Sequence, residues 1–181
     1  MWQYTVAILT GGGSRRMGEP KQCVELPSGQ TMVERMLEFA HSVTDKIVVV
    51  GGKIAGCRCV QDHRDNRGPV AGIEALLDSD IDERYLVVGC DMPLLSQELV
   101  IPLFQYHETV VYTHHGVVIG LPIVICTSTL AACTDYLDSG AGSIKGFVAK
   151  IPHMEIPIGD EEAELLRSIN TLKDLDKLAI E

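Results

Sequence analysis

Residues 4–21 read YTVAILTGGGSRRMGEPK, an apolar β-rich run followed by three consecutive glycines and several basic side chains. The run predicts a buried strand that ends in a glycine turn. Backbone N–H groups of such a turn can surround phosphate oxygens, and Arg15 and Lys21 add positive charge. Because the chain carries a formal net charge of -10, this local cluster of cations predicts a site for a small anionic ligand.

Spacing excludes two common phosphate-binding loops. A Walker A loop requires Gly-Lys followed by Ser or Thr, and the segment lacks this sequence. A dinucleotide-binding fingerprint that began at Gly11 would require glycine where Arg16 stands. The segment therefore predicts a glycine turn of another kind.

Apolar β-rich runs alternate with helical patterns along the first 108 residues. The runs and patterns, in chain order, are YTVAIL, TMVERMLEFAHSV, KIVVVGG, GPVAGIEALLD, YLVVGCD and SQELVIPLFQYH. This alternation predicts a three-layer α/β/α fold of Rossmann-like type, with a mostly parallel mixed sheet. Thr31 and Glu34 predict a capping box, Gly68-Pro69 a helix start, and Ser96 the cap of a later helix.

Composition limits the class of protein. With 181 residues, 46% of them hydrophobic and 22% charged, we expect a single domain over residues 1–181. No membrane span or signal peptide is predicted, so we expect a cytoplasmic protein. The acidic balance argues against general binding of nucleic acid or anionic membranes. The sequence leaves the oligomeric state open, and a homo-oligomer is one of the alternatives.

The cysteines and histidines give only weak signals. Six cysteines without a disulfide framework predict reduced thiols. Cys57 and Cys59 form one C-x-C pair that lacks a second pair at zinc-ligand spacing, which argues against a metal site there. His114 and His115 are expected to be solvated.

Three segments fall at the ends of predicted strands. They are LTGGGSRRMGEPK (9–21), GGK (51–53) and CDMP (90–93). In open α/β sheets, ligands bind outside the carboxyl ends of the strands, near the point where strand order reverses. We therefore expect these three segments to form one site.

Four segments carry a resemblance to a known family. LTGGGSRRMGEPK resembles the L-A-G-G-x-S-x-R-M-G-x-x-K signature of the MobA-like nucleotidyltransferases, the molybdenum cofactor guanylyltransferases. RGPVAGI (67–73), CDMP (90–93) and INTLKDL (169–175) are similar to the family's G-P-L-A-G-I, C-D-x-P and I-N-T-P-E-D-L. The resemblance extends over nearly the whole chain, and it implies the nucleotidyltransferase fold.

The resemblance implies transfer of GMP from GTP to the terminal phosphate of molybdopterin, with Mg²⁺ as cofactor and pyrophosphate as product. Arg15, Lys21 and Asp91 are then the catalytic residues, with Asp91 as the ligand of Mg²⁺. Attack of one phosphate on another requires positioning and neutralisation of charge, and Mg²⁺ prefers carboxylate and phosphate oxygens. The alternative for Asp91 is a carboxylate that caps the following turn.

The resemblance also implies how the two substrates are divided. Residues 1–108 form the nucleotide-binding half and residues 109–181 the acceptor-binding half. The implied nucleotide contacts are Leu9, Thr10, Gly11, Gly12, Gly13, Lys21, Asp62 and Asp91. Asp65 is a rival to Asp62, and either could be a solvated loop acid. Asn170 is implied at the acceptor phosphate, with a helix-entry role as the alternative.

Departures from the family pattern leave other functions open. Gly51 stands where family members carry an asparagine that reads the nucleotide, which weakens the expectation of strict guanine selectivity. A cytidylyltransferase acting on molybdopterin or another small phosphate acceptor is one alternative. EPKQCVEL resembles the P-K-Q of methylerythritol phosphate cytidylyltransferases, but their H-D-A-A-R-P segment is absent. A catalytically silent nucleotide-binding regulator is a further alternative, against which Lys21 and Asp91 both count.

Overall fold

The chain folds around one seven-stranded sheet. The structure, a computed structural model, describes residues 4–10, 23–65 and 67–178. Its strands are β1 (Thr5–Leu9), β2 (Ile47–Val50), β3 (Arg58–Val60), β4 (Arg84–Gly89), β5 (Val110–His114), β6 (Val117–Cys126) and β7 (Met154–Pro157). Its α-helices are α1 (Met32–Val43), α2 (Pro69–Leu77), α3 (Leu130–Asp138), α4 (Ile144–Val148), α5 (Asp160–Leu165) and α6 (Leu172–Leu178).

The sheet is mixed but mostly parallel, as the sequence predicts. Its strand order is β3-β2-β1-β4-β6-β5-β7. Strands β3, β2, β1 and β4 are parallel neighbours, β6 is antiparallel to both β4 and β5, and β7 is parallel to β5. Within this sheet, β6 alone runs against the common direction. Consequently, the carboxyl ends of β1, β2 and β4 lie side by side at one edge.

Alternating side chains of β1 divide between two apolar cores. Val6 and Ile8 pack on one face of the sheet with α1 and the residues that follow β4. Ala7 and Leu9 pack on the other face with α2, α3 and α4. Helices therefore cover both faces, which explains why β1 lacks polar alternation. The three-layer α/β/α prediction is confirmed.

The predicted starts of α1 and α2 are both confirmed. The Thr31 hydroxyl accepts a hydrogen bond from the Glu34 N–H (3.3 Å), and the Glu34 carboxylate accepts one from the Thr31 N–H (2.8 Å). These reciprocal bonds are the predicted capping box of α1. Gly68 caps α2 at a φ of 74°, with Pro69 as the first helical residue.

The prediction of an α-helix over SQELVIPLFQYH was wrong. Residues Ile101–Gln105 form a 3₁₀ helix, and turns precede it, so Ser96 caps no α-helix. Pro102 accounts for the difference. In an α-helix that began after Ser96, Pro102 would lie inside the helix, where it lacks an N–H donor and its ring clashes with the preceding turn. In the 3₁₀ helix, proline lies in the first turn, where both problems disappear.

None of the helices formed by the described residues has the length and apolar character that crossing a bilayer requires.

All six cysteines are free thiols, as their spacing predicts.

The capping box predicts a measurable loss of stability on substitution of its hydroxyl. We expect Thr31→Ala to lower the free energy of unfolding by about 1 kcal/mol, because the Glu34 N–H loses its acceptor. Urea denaturation followed by circular dichroism measures the change. Ser42→Ala is the matched control in the same helix: it removes a hydroxyl that only donates back to the Phe39 carbonyl, and we expect little change. Equal losses in the two variants would contradict the capping role.

Candidate active site

The candidate site lies where β2, β1 and β4 end next to one another. The Thr10 N–H donates to the Val50 carbonyl (2.9 Å), and the Cys90 N–H donates to the Leu9 carbonyl (3.0 Å). These bonds continue the pairing of the strands by one residue beyond their ends. Thr10, Gly51 and Cys90 therefore lie side by side at the points where the three strands end.

The side chain of Thr10 also links the ends of β1 and β2. Its hydroxyl donates to the Val50 carbonyl at 3.0 Å, so both the amide and the side chain of Thr10 bind the same oxygen. Leu9 and Thr10 are buried. The remaining predicted residues of the first segment, namely Gly11, Gly12, Gly13, Arg15 and Lys21, lie outside the described residues.

Asp91 lies against a glycine at the end of β4. A Cβ atom at Gly89 would lie 2.5 Å from Oδ1 of Asp91, so any larger residue there would displace the carboxylate. The backbone of Asp91 is held separately, because its carbonyl accepts a hydrogen bond from the Ile169 N–H at 2.8 Å. The result is a half-buried carboxylate at the edge where the three strands end.

Asp62 is placed in a similar way by Gly72 of α2. A Cβ atom at Gly72 would lie 3.1 Å from Oδ1 of Asp62 and 2.9 Å from Cγ1 of Val50. Although Asp62 as a residue is exposed, part of its carboxyl group is buried, and this burial raises its pKa. The charge of His63 opposes the shift and that of Asp65 adds to it. Of the two acids that the sequence leaves in competition, Asp62 is therefore the one whose carboxylate packs against α2.

An ion-pair network holds the loop that carries Asp62. Arg64 forms two hydrogen bonds with the carboxylate of Glu74, at 2.7 and 2.9 Å, and a third with Asp138. The Thr134 hydroxyl donates to the same carboxylate at 2.9 Å. Both acids raise the pKa of Arg64 above its ordinary value. This network joins the loop to α2 and α3, and it links residues far apart in the sequence. The one signal available was a single acid within the otherwise apolar helix PVAGIEALL.

Asn170 is brought to the Asp91 loop by its neighbour. Ile169 donates to the Asp91 carbonyl, and the Asn170 side chain donates to the Ser168 carbonyl at 3.2 Å. The first turn of α6 is capped by Thr171, whose hydroxyl accepts from the Asp174 N–H at 3.3 Å. Asn170 directly precedes Thr171 and its N–H donates to the Asp174 carboxylate at 3.0 Å, so Asn170 lies at the entry to α6.

A cavity of about 640 Å³ adjoins the Asp91 loop. Its lining includes the apolar side chains of Ile119, Leu121, Ile144 and Leu166, and the polar side chains of His114, Ser143, Lys145 and Arg167. Leu121 connects the cavity with the Asp91 loop, because its Cδ1 would lie 3.6 Å from a Cβ atom at Gly89. The cavity lies mainly within residues 109–181, the predicted acceptor-binding half, but no sequence pattern indicates Lys145 or Arg167.

Arg167 contributes an incompletely bonded cation to this cavity. Its buried Nε lies 2.9 Å from Oε1 of Glu164, but the two groups do not have hydrogen-bond geometry. A cavity that combines apolar walls with Lys145 and Arg167 suits a ligand with a flat apolar part and an anionic group.

Comparison with known proteins identifies the family. Residues 6–154 match the model of the MobA-like NTP transferase domain. The chain belongs to this family. Its fold and the convergence of three strand ends agree with that assignment.

Two relatives of similar sequence are named as probable guanylyltransferases. A probable molybdenum cofactor guanylyltransferase of Pelotomaculum thermopropionicum is 34% identical over a match that covers 64% of this chain and 60% of the relative. Another from Carboxydothermus hydrogenoformans is 27% identical over 98% of this chain and 96% of the relative.

Solved structures share the fold. Molybdopterin-guanine dinucleotide biosynthesis protein A from Archaeoglobus fulgidus superposes with a TM-score of 0.82 at 22% identity, over 97% of each chain. The 2-C-methyl-D-erythritol 4-phosphate cytidylyltransferase of Thermus thermophilus superposes with a TM-score of 0.72 at 17% identity, over 99% of this chain and 98% of the other. At these identities the likeness concerns the fold alone.

Proposed function

We propose that the chain transfers GMP from GTP to the terminal phosphate of molybdopterin and releases pyrophosphate in a Mg²⁺-dependent reaction. The observation that carries the proposal is the position of Asp91. It is a half-buried carboxylate at the shared edge of three parallel strands, next to a cavity that contains two basic side chains. The names of the relatives support the same assignment.

In this proposal residues 1–108 bind the nucleotide. Leu9, Thr10 and Gly11 to Gly13 surround the base, ribose and phosphates with backbone groups, and Asp62 contacts the nucleotide. Arg15 and Lys21 neutralise charge on the triphosphate. Since both reactants are anions, such fixed positive charge lowers the barrier to attack.

Asp91 is proposed to hold Mg²⁺. Its carboxylate fits this ion because Mg²⁺ is a hard cation that favours oxygen ligands. Asp91 would hold the ion, whose positive charge would stabilise the pyrophosphate leaving group. The Ile169 N–H holds the backbone of Asp91, and Gly89 leaves room for its side chain.

Residues 109–181 are proposed to bind the acceptor. The apolar lining of the cavity suits the flat pterin ring, and Lys145 and Arg167 suit its terminal phosphate. Asn170 comes two residues after Ser168, which lines the cavity. It is also next to Ile169, whose N–H donates to the Asp91 carbonyl. The cavity is thus beside the edge at which the nucleotide is proposed to bind.

CTP is the second candidate nucleotide, and the residue at position 51 supports it as an alternative to GTP. Gly51 has a φ of 79°, and with no side chain it offers no amide that could distinguish guanine from cytosine. The silent-regulator alternative predicts nucleotide binding without release of pyrophosphate.

The direct test is pyrophosphate release by the full chain with molybdopterin, Mg²⁺ and each of GTP, CTP, ATP and UTP. We expect the highest rate with GTP. Lys21→Ala should lower that rate by roughly 10²-fold, the effect of removing one preorganised stabilising charge. Lys150→Ala, at an exposed lysine outside the cavity lining, is the control. A preference for CTP would support the cytidylyl alternative, and binding without turnover would support the regulator.

The metal role of Asp91 predicts a changed requirement for Mg²⁺. We expect Asp91→Asn to raise the half-saturating Mg²⁺ concentration at least about 10-fold, since it removes the charge that the ion needs. Gly89→Ala should act in the same direction while leaving residue 91 an aspartate, because its Cβ would push the carboxylate aside. Magnesium titrations of pyrophosphate release measure both effects. A half-saturating concentration unchanged in both variants would exclude Asp91 as the ligand.

The acceptor role of the cavity predicts a selective change in KM. We expect Lys145→Ala to raise the KM for molybdopterin at least about 10-fold and to leave the KM for GTP unchanged, since one charge-assisted hydrogen bond is worth about 1.5–3 kcal/mol. Steady-state kinetics in each substrate separates the two effects, again with Lys150→Ala as control. Equal increases in both KM values would contradict a role of the cavity that is specific to the acceptor.

A further inference from the structure

Two histidines and an aspartate meet beside the cavity, at the tip of the hairpin formed by β5 and β6. His114 ends β5, and the turn to β6 contains His115 and Gly116 at φ values of 49° and 72°. Asp160 is the first residue of α5. Nε2 of His114 and Nε2 of His115 lie 2.7 and 3.2 Å from the same carboxylate oxygen of Asp160.

The spacing of these three atoms matches that of ligands around one small cation. They all lie within 4.8 Å of one another. In a tetrahedral zinc site with bonds of about 2.0–2.1 Å, neighbouring ligand atoms are separated by about 3.3 Å. A small movement of the exposed side chains of His115 and Asp160 would therefore place one ion between all three. Three protein ligands also leave a coordination position for water or another ligand.

The two-residue hairpin turn, which requires positive φ at both central residues, places the His115 ring beside that of His114. A residue other than glycine at positive φ is uncommon, although histidine is among the types found there more often. In this conformation the His115 ring lies 4.1 Å from that of His114, centroid to centroid. Two rings that can each become cationic thus converge on one carboxylate oxygen. An exposed ion pair, which contributes at most about 1 kcal/mol, would require only one of them.

We propose that His114, His115 and Asp160 form a binding site for a divalent transition-metal ion, with Zn²⁺ as the best match. Imidazole nitrogen suits Zn²⁺, Cu²⁺ and Ni²⁺, whereas Mg²⁺ prefers oxygen ligands. The site is thus chemically distinct from the Mg²⁺ site proposed at Asp91. Because His114 also lines the cavity, the bound ion would connect the β5–β6 hairpin with α5 at the cavity wall. This proposal does not depend on which nucleotide or acceptor the enzyme uses.

Zinc titration of the full chain, followed by calorimetry and thermal unfolding, tests the site. We expect the wild-type protein to bind one equivalent of Zn²⁺ and to gain thermal stability from it, since the ion binds the folded state. His115→Asn and Asp160→Asn should each weaken zinc binding by at least about 10-fold and abolish the gain. Asparagine is chosen at position 115 because it tolerates positive φ, so the turn should be kept.

Two controls separate this site from other zinc-binding groups. His153→Asn changes a histidine that is 3.3 Å from one carboxylate, that of Glu155, and should leave zinc binding unchanged. The double variant Cys57→Ser/Cys59→Ser removes competing thiols and should also retain the site. Zinc binding that persists in His115→Asn and Asp160→Asn, or that is lost with the two cysteines, would overturn the proposal. A wild-type chain that shows no saturable binding would overturn it as well.

Discussion

The central constraint on this molecule is the parallel pairing of β1 with β2 on one side and β4 on the other. Parallel strands end at the same edge, so the residues that directly follow them, namely Thr10, Gly51 and Cys90, must lie together. Hydrogen bonds from Thr10 and Cys90 continue the pairing past the strand ends and fix where each segment leaves the sheet. Every residue of the proposed nucleotide site that the structure describes is placed by this edge or by a helix packed on it.

Close approach of carboxylates to this edge depends on glycine. Gly89 and Gly72 leave the space occupied by the side chains of Asp91 and Asp62, respectively. The loop before α2 depends on a third glycine: a Cβ atom at Gly142 would overlap the carbonyl oxygen of Arg67, so this loop packs directly on the chain before α4. In each case the glycine is required by contact with its surroundings. Two acids can therefore lie close to the sheet, and Asp62 shows a raised pKa as a result.

Much of the fold was predictable because its strongest signals are local. The buried strands β1, β2 and β4 are continuous apolar runs, and α1 has both amphipathic spacing and a capping box. The short strands β3 and β7 were missed because their side chains are mostly exposed or half-buried, so neither gives an apolar run. Of the candidate site, Asp91 could be named from its position after a predicted strand, whereas Asp62 could be named only from the resemblance to the family's motif ahead of Gly68-Pro69. The contact of Arg64 with Glu74 and Asp138, and the lining of the cavity, could not be named, because they join segments that are distant in the sequence.

The antiparallel strand β6 connects the two sites that we propose for the two substrates. It pairs with β4, so its residues adjoin the end of β4 without a crossover helix between them. Leu121 of β6 consequently both lines the cavity and lies near Gly89, beneath Asp91. The Ile169 N–H joins the opposite side of the Asp91 loop to the chain that follows Arg167. A transfer between two phosphates requires them to meet within about 3–3.5 Å. The edge proposed to bind the nucleotide and the cavity proposed to bind the acceptor must therefore lie next to each other, and Leu121 and Ile169 connect the cavity lining to the loop on which Asp91 lies.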